Sequence, residues 1–357
     1  MGSFDCYCAI CGGSLTGAGA GSADPRALAQ RRRRVERKRQ ALLAGEEPPP
    51  DSDSEASGDE TEEDFDALEE EYSYDPELVS EEGLEWLEVV RGLGIDEKTN
   101  KAFLSGEGHY MEQGCIYVPV GDDEDFTKFS GYNTSDAAFP VHVPCFKLLT
   151  WTFTGDLNAE EEIDKDDLRG SFSALEGGKS LDIDHGPIEG AAQFWESIRG
   201  EEFAVTNPIE IPGLSDFLKA KLDSGTFQRP STNRELRPNV VADPFSQLPY
   251  DVLHLVLKRL PGSSVPALAT ASWTVQVATH HSSFWEMMLR REMPWFWELF
   301  ELLEDERYSK TGCKRLFLWL DKELSVMYGL RGPLMGIANR KRIWGPCLQI
   351  REASCNS

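Results

Sequence analysis

A chain of 357 residues with a hydrophobic share of 40% and a mean hydropathy of −0.41 has room for two domains and for a substantial solvated stretch. Nine Trp and eighteen Phe exclude disorder throughout. The formal net charge of −26 repels phosphate backbones and anionic lipid surfaces, so neither nucleic acid nor membrane is an expected partner of the chain as a whole.

Met1 to Leu15 lacks the basic start and sustained apolar run of a secretory leader. The most apolar stretch, Val141 to Phe153, is too short for a span and carries His142 and Lys147. The expected location is therefore cytoplasmic, nuclear or both, where the eight cysteines stay reduced. Three of them crowd at Cys6, Cys8 and Cys11, which in a reducing compartment reads as metal ligation before disulfides. Within residues 1–13, Cys8-Ala9-Ile10-Cys11-Gly12-Gly13 has the form of a zinc knuckle, with two thiolates able to meet one ion and glycines for the turn.

Residues 14–75 read as a disordered basic and acidic insert: Gly17 to Gly21 is Gly/Ala-rich, and Glu46 to Glu71 is acidic with Pro48, Pro49 and Pro50. Between these lies a predicted helix, with Asp24 as cap, Pro25 at its first position and Gly45 at its end. Its basic run, Arg31 to Arg39, reads as a solvated face or as a nuclear import signal.

Residues 76–240 read as a compact α+β domain. Leu84, Trp86, Leu87, Val89, Val90 and Leu93 predict an apolar helix, and Cys115 to Val120 and Phe139 to His142 predict strands. Pro144 then suits a helix start, and Phe194, Trp195 and Ile198 predict a further helical patch. His142-x-x-Cys145 straddles the Pro144 helix start and is a second pair with ligand spacing. Cys8, Cys11, His142 and Cys145 together form a three-sulfur, one-nitrogen set, suited to a closed structural zinc site in a treble-clef-like arrangement, with Cys6 as a spare ligand. The competing reading places Cys145 and His142 in an ordinary core and the knuckle on a frayed terminus.

After Val241 the pattern turns mainly helical. Leu248-Pro249 fixes an extended entry, and Val252, Leu253, Val256, Leu257 and Leu260 give the next helix a wide apolar face. Pro261-Gly262 stops it, Ser264 can cap a second helix, and Trp273 lies in a third. Three short helices have too small a core to stand well alone, which points to a partner for part of that face.

This stretch resembles the F-box, through Leu248-Pro249, Val252-Leu253, Val256-Leu257, Leu260, Leu268 and Trp273. The pattern departs from the family at Tyr250, which stands where an acid is usual with Asp251 following it, at Val265-Pro266 and at Ser272. Outside residues 241–290, Met293-Pro294-Trp295-Phe296-Trp297 and Asn339-Arg340-Lys341-Arg342-Ile343-Trp344 in the C-terminal helical region, 291–352, are similar to a group of F-box proteins from filamentous fungi, as are Cys8-Ala9-Ile10-Cys11-Gly12 and Phe139-Pro140-Val141-His142. The resemblance implies a substrate-recruiting adaptor that docks on the Skp-family adaptor of a cullin–RING ubiquitin ligase, with Leu248, Pro249, Leu253, Leu257 and Leu260 at that interface and an unidentified protein as target. An F-box scaffold outside ubiquitination is the alternative. An enzyme built on Asp182, Asp184 and His185 lacks any accompanying nucleophile elbow, phosphate loop or HExxH pattern, so no catalysis is expected. Trp295 and Trp297 read either as a recognition patch or as core.

Overall fold

The computed structural model describes residues 7–15, 18–21, 25–48, 73–96, 98–111, 115–119, 126–130, 138–177, 180–228 and 242–356. The chain forms two compact units, Met1–Pro212 with Val326–Ser357, and Gly213–Ser325. The first is mixed α+β and the second is helical. No helix among the described residues is long and apolar enough to cross a membrane.

In the first unit, helix α1 (Pro25–Ala44) lies where Pro25 and Gly45 predict it. Gly45 is left-handed at φ +72. Its N–H bonds Leu42 O at 3.1 Å and the Glu46 N–H bonds Ala41 O at 2.9 Å, a closure that satisfies the last carbonyls of a helix. The expected cap, Asp24, lies outside the described residues. The helix is not the solvated element its composition predicts. Leu28 is buried, and Arg32 makes a two-pronged ion pair with buried Asp75 at 2.5 and 2.6 Å. Burial works against the Asp75 carboxylate, but hydrogen bonds from Arg32 outweigh it and hold its pKa below the usual range. Arg39 donates to the carbonyls of Val326 and Tyr328, and Lys38 sits over the Tyr328 ring. Arg32, Lys38 and Arg39 thus make contacts within the chain, while Arg33 and Arg37 are exposed. Residues 49–72, with most of the acidic tract, lie outside the described residues.

The apolar run from Leu84 to Leu93, predicted as one helix, divides. A single turn, α2 (Glu81–Leu84), is capped by Ser80 and runs into a 3-10 turn at Glu85–Leu87. The chain then extends as β1 (Val89–Asp96), because β-branched Val89 and Val90 followed by Gly92 and Gly94 disfavour a helix. β1 pairs antiparallel with β2 (Lys101–Leu104), β3 (Gly108–Met111) and β6 (Phe139–His142). β4 (Cys115–Pro119) and β5 (Phe126–Ser130) extend the sheet from β3. β2 and β3 take successive stretches of β1, with Leu104 opposite Leu93 and Gly108 opposite Val90. Val90 also pairs with His142, the last residue of β6. Helix α3 (Val143–Thr154) begins immediately afterwards, with Pro144 in its first turn, and α4 (Lys165–Ala174) follows. The strands at Cys115 and Phe139 and the start at Pro144 lie where the sequence predicts them. Phe194, Trp195 and Ile198 do not form a helix. Gly186 and Gly200 flank them with positive φ, and the Trp195 indole donates to the Tyr74 hydroxyl at 3.1 Å.

The unit boundaries differ from the predicted ones. The C-terminal helix, Pro333–Asn356, joins the α+β unit, because Ile337, Ala338, Ile343, Cys347 and Ile350 are buried and it packs on α3 and α4. The helical unit begins at Gly213 instead of 241, since α5 (Leu214–Asp223) buries Leu214, Leu218 and Leu222 within it.

In that unit Leu248 is extended (φ −85, ψ 133), as the following proline requires. Helices α6 (Tyr250–Arg259), α7 (Ser264–Ala271) and α8 (Trp273–Ala278) follow in the expected order. Ser264 is the first residue of α7 instead of its cap, whereas the Ser272 hydroxyl caps α8 by accepting from Val275 N–H at 3.1 Å. Arg291 of α9 (Ser282–Glu292) donates to the carbonyls of Lys258 and Leu260 and so closes the end of α6. Leu253, Leu257, Val265, Ala269, Val275 and Trp285 are buried. α10 (Trp297–Leu303) and α11 (Cys313–Glu323) complete the unit. Trp295 is buried, which favours its core reading.

Candidate functional site

The knuckle is a tight hairpin closed by a bridge between Tyr7 and Ser14. Gly12 N–H bonds Cys8 O at 2.8 Å, and Cys8 N–H bonds Gly13 O at 2.9 Å. Gly12 is left-handed at φ +66, and a Cβ there would come within 2.7 Å of the His185 ring, so glycine is required twice over. Ala9 N–H bonds Pro140 O at 2.8 Å, which lays the hairpin along the end of β6. His142 ends that strand and Cys145 lies in the first turn of α3.

This packing brings Cys8, Cys11, His142 and Cys145 together, all buried, with one ligand atom of each within 4.8 Å of the others. Cys11 Sγ and Cys145 Sγ lie 3.4 and 3.7 Å from His142 Nδ1. The sulfur–nitrogen edge of a tetrahedral thiolate–imidazole site is about 3.5 Å, from metal–ligand bonds of about 2.3 and 2.0 Å. The group can therefore hold a metal ion. His142 Nε2 lies 2.8 Å from Ser14 O, which only accepts, so Nε2 carries a proton and Nδ1 faces the sulfurs. Backbone N–H groups of Gly13 and His142 point at Cys11 Sγ and Cys8 Sγ at 3.3 and 3.4 Å, as thiolates require.

Burial opposes a charge on Cys11, but hydrogen bonds from Cys145 and Cys8 and the field of His142 hold it well below its ordinary value. Burial pushes Cys145 up, and its hydrogen bonds with Cys11 and Cys8 add to that. Burial alone would lower His142, yet the charges of Cys8 and Cys11 raise it to about 10. The cluster therefore favours a thiolate beside an imidazolium, and the proton on Nδ1 is one that a bound cation displaces.

Arg342 of the C-terminal helix anchors the knuckle from below. Its guanidinium donates to Cys11 O at 2.6 Å and His185 O at 2.9 Å, and it is itself held by Asn339 Oδ1. The sequence motif Asn339-Arg340-Lys341-Arg342 gave no hint of this role. Asp182 and Asp184 are exposed and do not converge with His185 on a site. The Asp184 carboxylate accepts from Gly186 N–H, and His185 turns its ring against Gly12. Among the described residues the Cys8 cluster is the one group of this kind with ligand atoms close together.

The predicted docking residues separate. Leu253 and Leu257 are 1% and 0% exposed and belong to the core of the helical unit. Leu248 and Pro249 are exposed, and Leu260 is half-buried. The open apolar surface comes instead from Val252, Leu255 and Val256, at 43%, 58% and 38% exposed. These stand at i, i+3 and i+4 and share one stripe of α6 facing away from Leu253 and Leu257. α6 thus carries two apolar stripes. The signal was present in the spacing, and Leu255 is the residue that the sequence reading passed over.

Asp243 ties the entry of this segment to α8. Its carboxylate accepts from Thr274 N–H, from Phe245 N–H and from the Ser272 hydroxyl at 2.9 to 3.0 Å. These bonds, led by that from Thr274 N–H, hold its pKa at about 2. A depressed folded value means that the contribution is full above the ordinary carboxylate pKa of roughly 4 and is lost as pH falls towards the folded one. Asp243→Asn should therefore lower the melting temperature of the helical unit at pH 7 and flatten its decline between roughly pH 4 and 2, followed by circular dichroism. An unchanged acid profile in the variant would remove this clamp from the account.

No protein-family model, curated protein or solved structure matches the chain, so the chemistry of the buried cluster and of the open α6 stripe carries the functional reading.

Proposed function

We propose that this chain is an F-box adaptor, the substrate-recruiting subunit of a cullin–RING ubiquitin ligase, and that it acts by binding instead of by catalysis. The observation that carries this reading is the stripe of Val252, Leu255 and Val256, left open on the first of three short helices directly after the Leu248-Pro249 step. Exposed apolar side chains aligned on one helix face gain about 25 cal/mol for each Å² that a partner covers, and the Skp-family adaptor is the partner the F-box resemblance implies. Leu248, Pro249 and Tyr250 are also exposed at the helix entry.

The Cys8, Cys11, His142 and Cys145 cluster holds structural zinc in this reading. Three sulfurs and one nitrogen suit Zn²⁺, and four protein ligands fill a tetrahedral shell with no position open for a reacting water. The ion secures the N-terminal hairpin to the sheet and to the C-terminal helix, and with them the α+β unit that receives the target. The setting is cytoplasmic or nuclear, where thiols stay reduced.

Tagged chain purified from cells should bring down a Skp-family adaptor together with a cullin, and Leu255→Asp with Val256→Asp should lose both. Adaptor recovered without cullin would favour a scaffold role, and recovery of neither with the unaltered chain would overturn the reading.

A further inference from the structure

A cleft of about 550 Å³ opens in the α+β unit, within the size range of specific ligand sites; its lining residue Trp86 packs edge-on against His142, with ring centroids 4.9 Å apart. Its apolar lining includes Leu78, Trp86, Ile211, Pro333 and Met335. Its rim carries carboxylates on both walls: Glu82 and Glu85 on one, Glu210 on the other. Among the described residues no lysine, arginine or histidine lines it. Glu77, also on the rim, is paired with Arg32 at 2.8 Å, but among the described residues no cation pairs with Glu82, Glu85 or Glu210.

The walls are fixed from behind. The Trp86 indole donates to Val205 O at 2.9 Å, which orients its ring. The buried side chains of Asn339 and Arg340 hold the opposite wall by donating to the carbonyls of Thr206, Pro208 and Ile209 at 2.7, 2.5 and 3.3 Å. A preformed cleft binds without first having to order itself. Unpaired carboxylates around an apolar floor exclude nucleic acid and anionic lipid by repulsion, and they complement a peptide cation whose neighbouring side chain fills the floor.

We infer that this cleft binds a segment of a partner protein that presents Lys or Arg beside an apolar side chain. This deepens the adaptor reading, on which it rests for its biological role, by giving the class of target.

The test uses the full chain and a fluorescein-labelled peptide of about ten alternating Leu and Arg residues, followed by fluorescence anisotropy. Glu85→Lys with Glu210→Lys should weaken binding by about tenfold or more, whereas Glu301→Lys with Glu306→Lys, an equal charge change on exposed residues of the other unit, should leave it within about twofold. A peptide of alternating Ser and Arg should bind the unaltered chain about tenfold more weakly. An equal loss in both charge-reversed chains, equal binding of the Ser peptide, or no binding by the unaltered chain would each overturn the proposal. Leu255→Asp separates the two readings: retained adaptor docking with intact peptide binding counts against the adaptor reading alone, whereas lost adaptor docking beside a failed peptide arm counts against the cleft alone.

Discussion

Cys11→Ser should abolish metal binding and release the N-terminal hairpin from the α+β unit. Cys11 is buried, its carbonyl receives Arg342, and its sulfur lies 3.4 Å from His142 Nδ1. A hydroxyl cannot supply the thiolate, and the remaining three ligands no longer close a tetrahedron. Structural zinc sites contribute on the order of 10 kcal/mol of apparent binding free energy, comparable with a typical domain's whole margin of stability. The hairpin is also held by Ala9 N–H on Pro140 O, by Arg342 on Cys11 O and by buried Tyr7, Ile10 and Leu15, which share the load with the metal. Chain purified without chelator should therefore carry one zinc by native mass spectrometry, and Cys11→Ser none, with a large fall in melting temperature. Cys355→Ser, at an exposed thiol, should keep the metal. Zinc-free wild-type protein with the same thermal stability as zinc-loaded protein would show that the cluster is an ordinary core.

Leu253→Asp and Leu255→Asp, two residues apart, should have opposite consequences. At Leu253 the carboxylate enters the apolar interior of the helical unit without a partner, at a cost of several kcal/mol, enough to unfold it. At Leu255 it enters water, and stability should change by less than about 0.5 kcal/mol. Thermal unfolding should thus show the helical transition lost in the first variant and kept in the second. Leu253→Asp should nonetheless leave zinc content unchanged, since Cys8, Cys11, His142 and Cys145 all lie in the other unit. Loss of partner binding by Leu253→Asp is consequently no evidence about the interface.

What the sequence made legible follows from how local each signal is. Cys8-x-x-Cys11 with two glycines and His142-x-x-Cys145 across Pro144 are each set by bonds within a single turn, and the structure brings all four ligands together. The Leu248-Pro249 step and the Pro261-Gly262 stop bound α6 for the same reason. The failures needed tertiary information. Leu84 to Leu93 carries helical spacing, and only the pairing of β1 with β2, β3 and β6 shows that Val89 and Val90 are strand residues. The basic helix α1 has a solvated composition, yet Asp75 and the carbonyls of Val326 and Tyr328, all distant in sequence, hold its cations. On α6 the spacing showed an apolar helix, but which of two stripes faces inward depends on its packing against α8, where Val275 is buried. The allegiance of the C-terminal helix was equally hidden, because its buried Asn339, Arg340 and Arg342 read as a polar surface until their carbonyl partners are known.

The α6 stripe is tested most directly by calorimetric titration of a purified Skp-family adaptor into the purified chain. The account predicts saturable one-to-one binding with a negative heat-capacity change, as apolar burial demands, and loss of that binding in Leu255→Asp while its unfolding transition stays in place. Equal affinity in the wild-type and Leu255→Asp chains, or no heat of binding with the wild type, would contradict it.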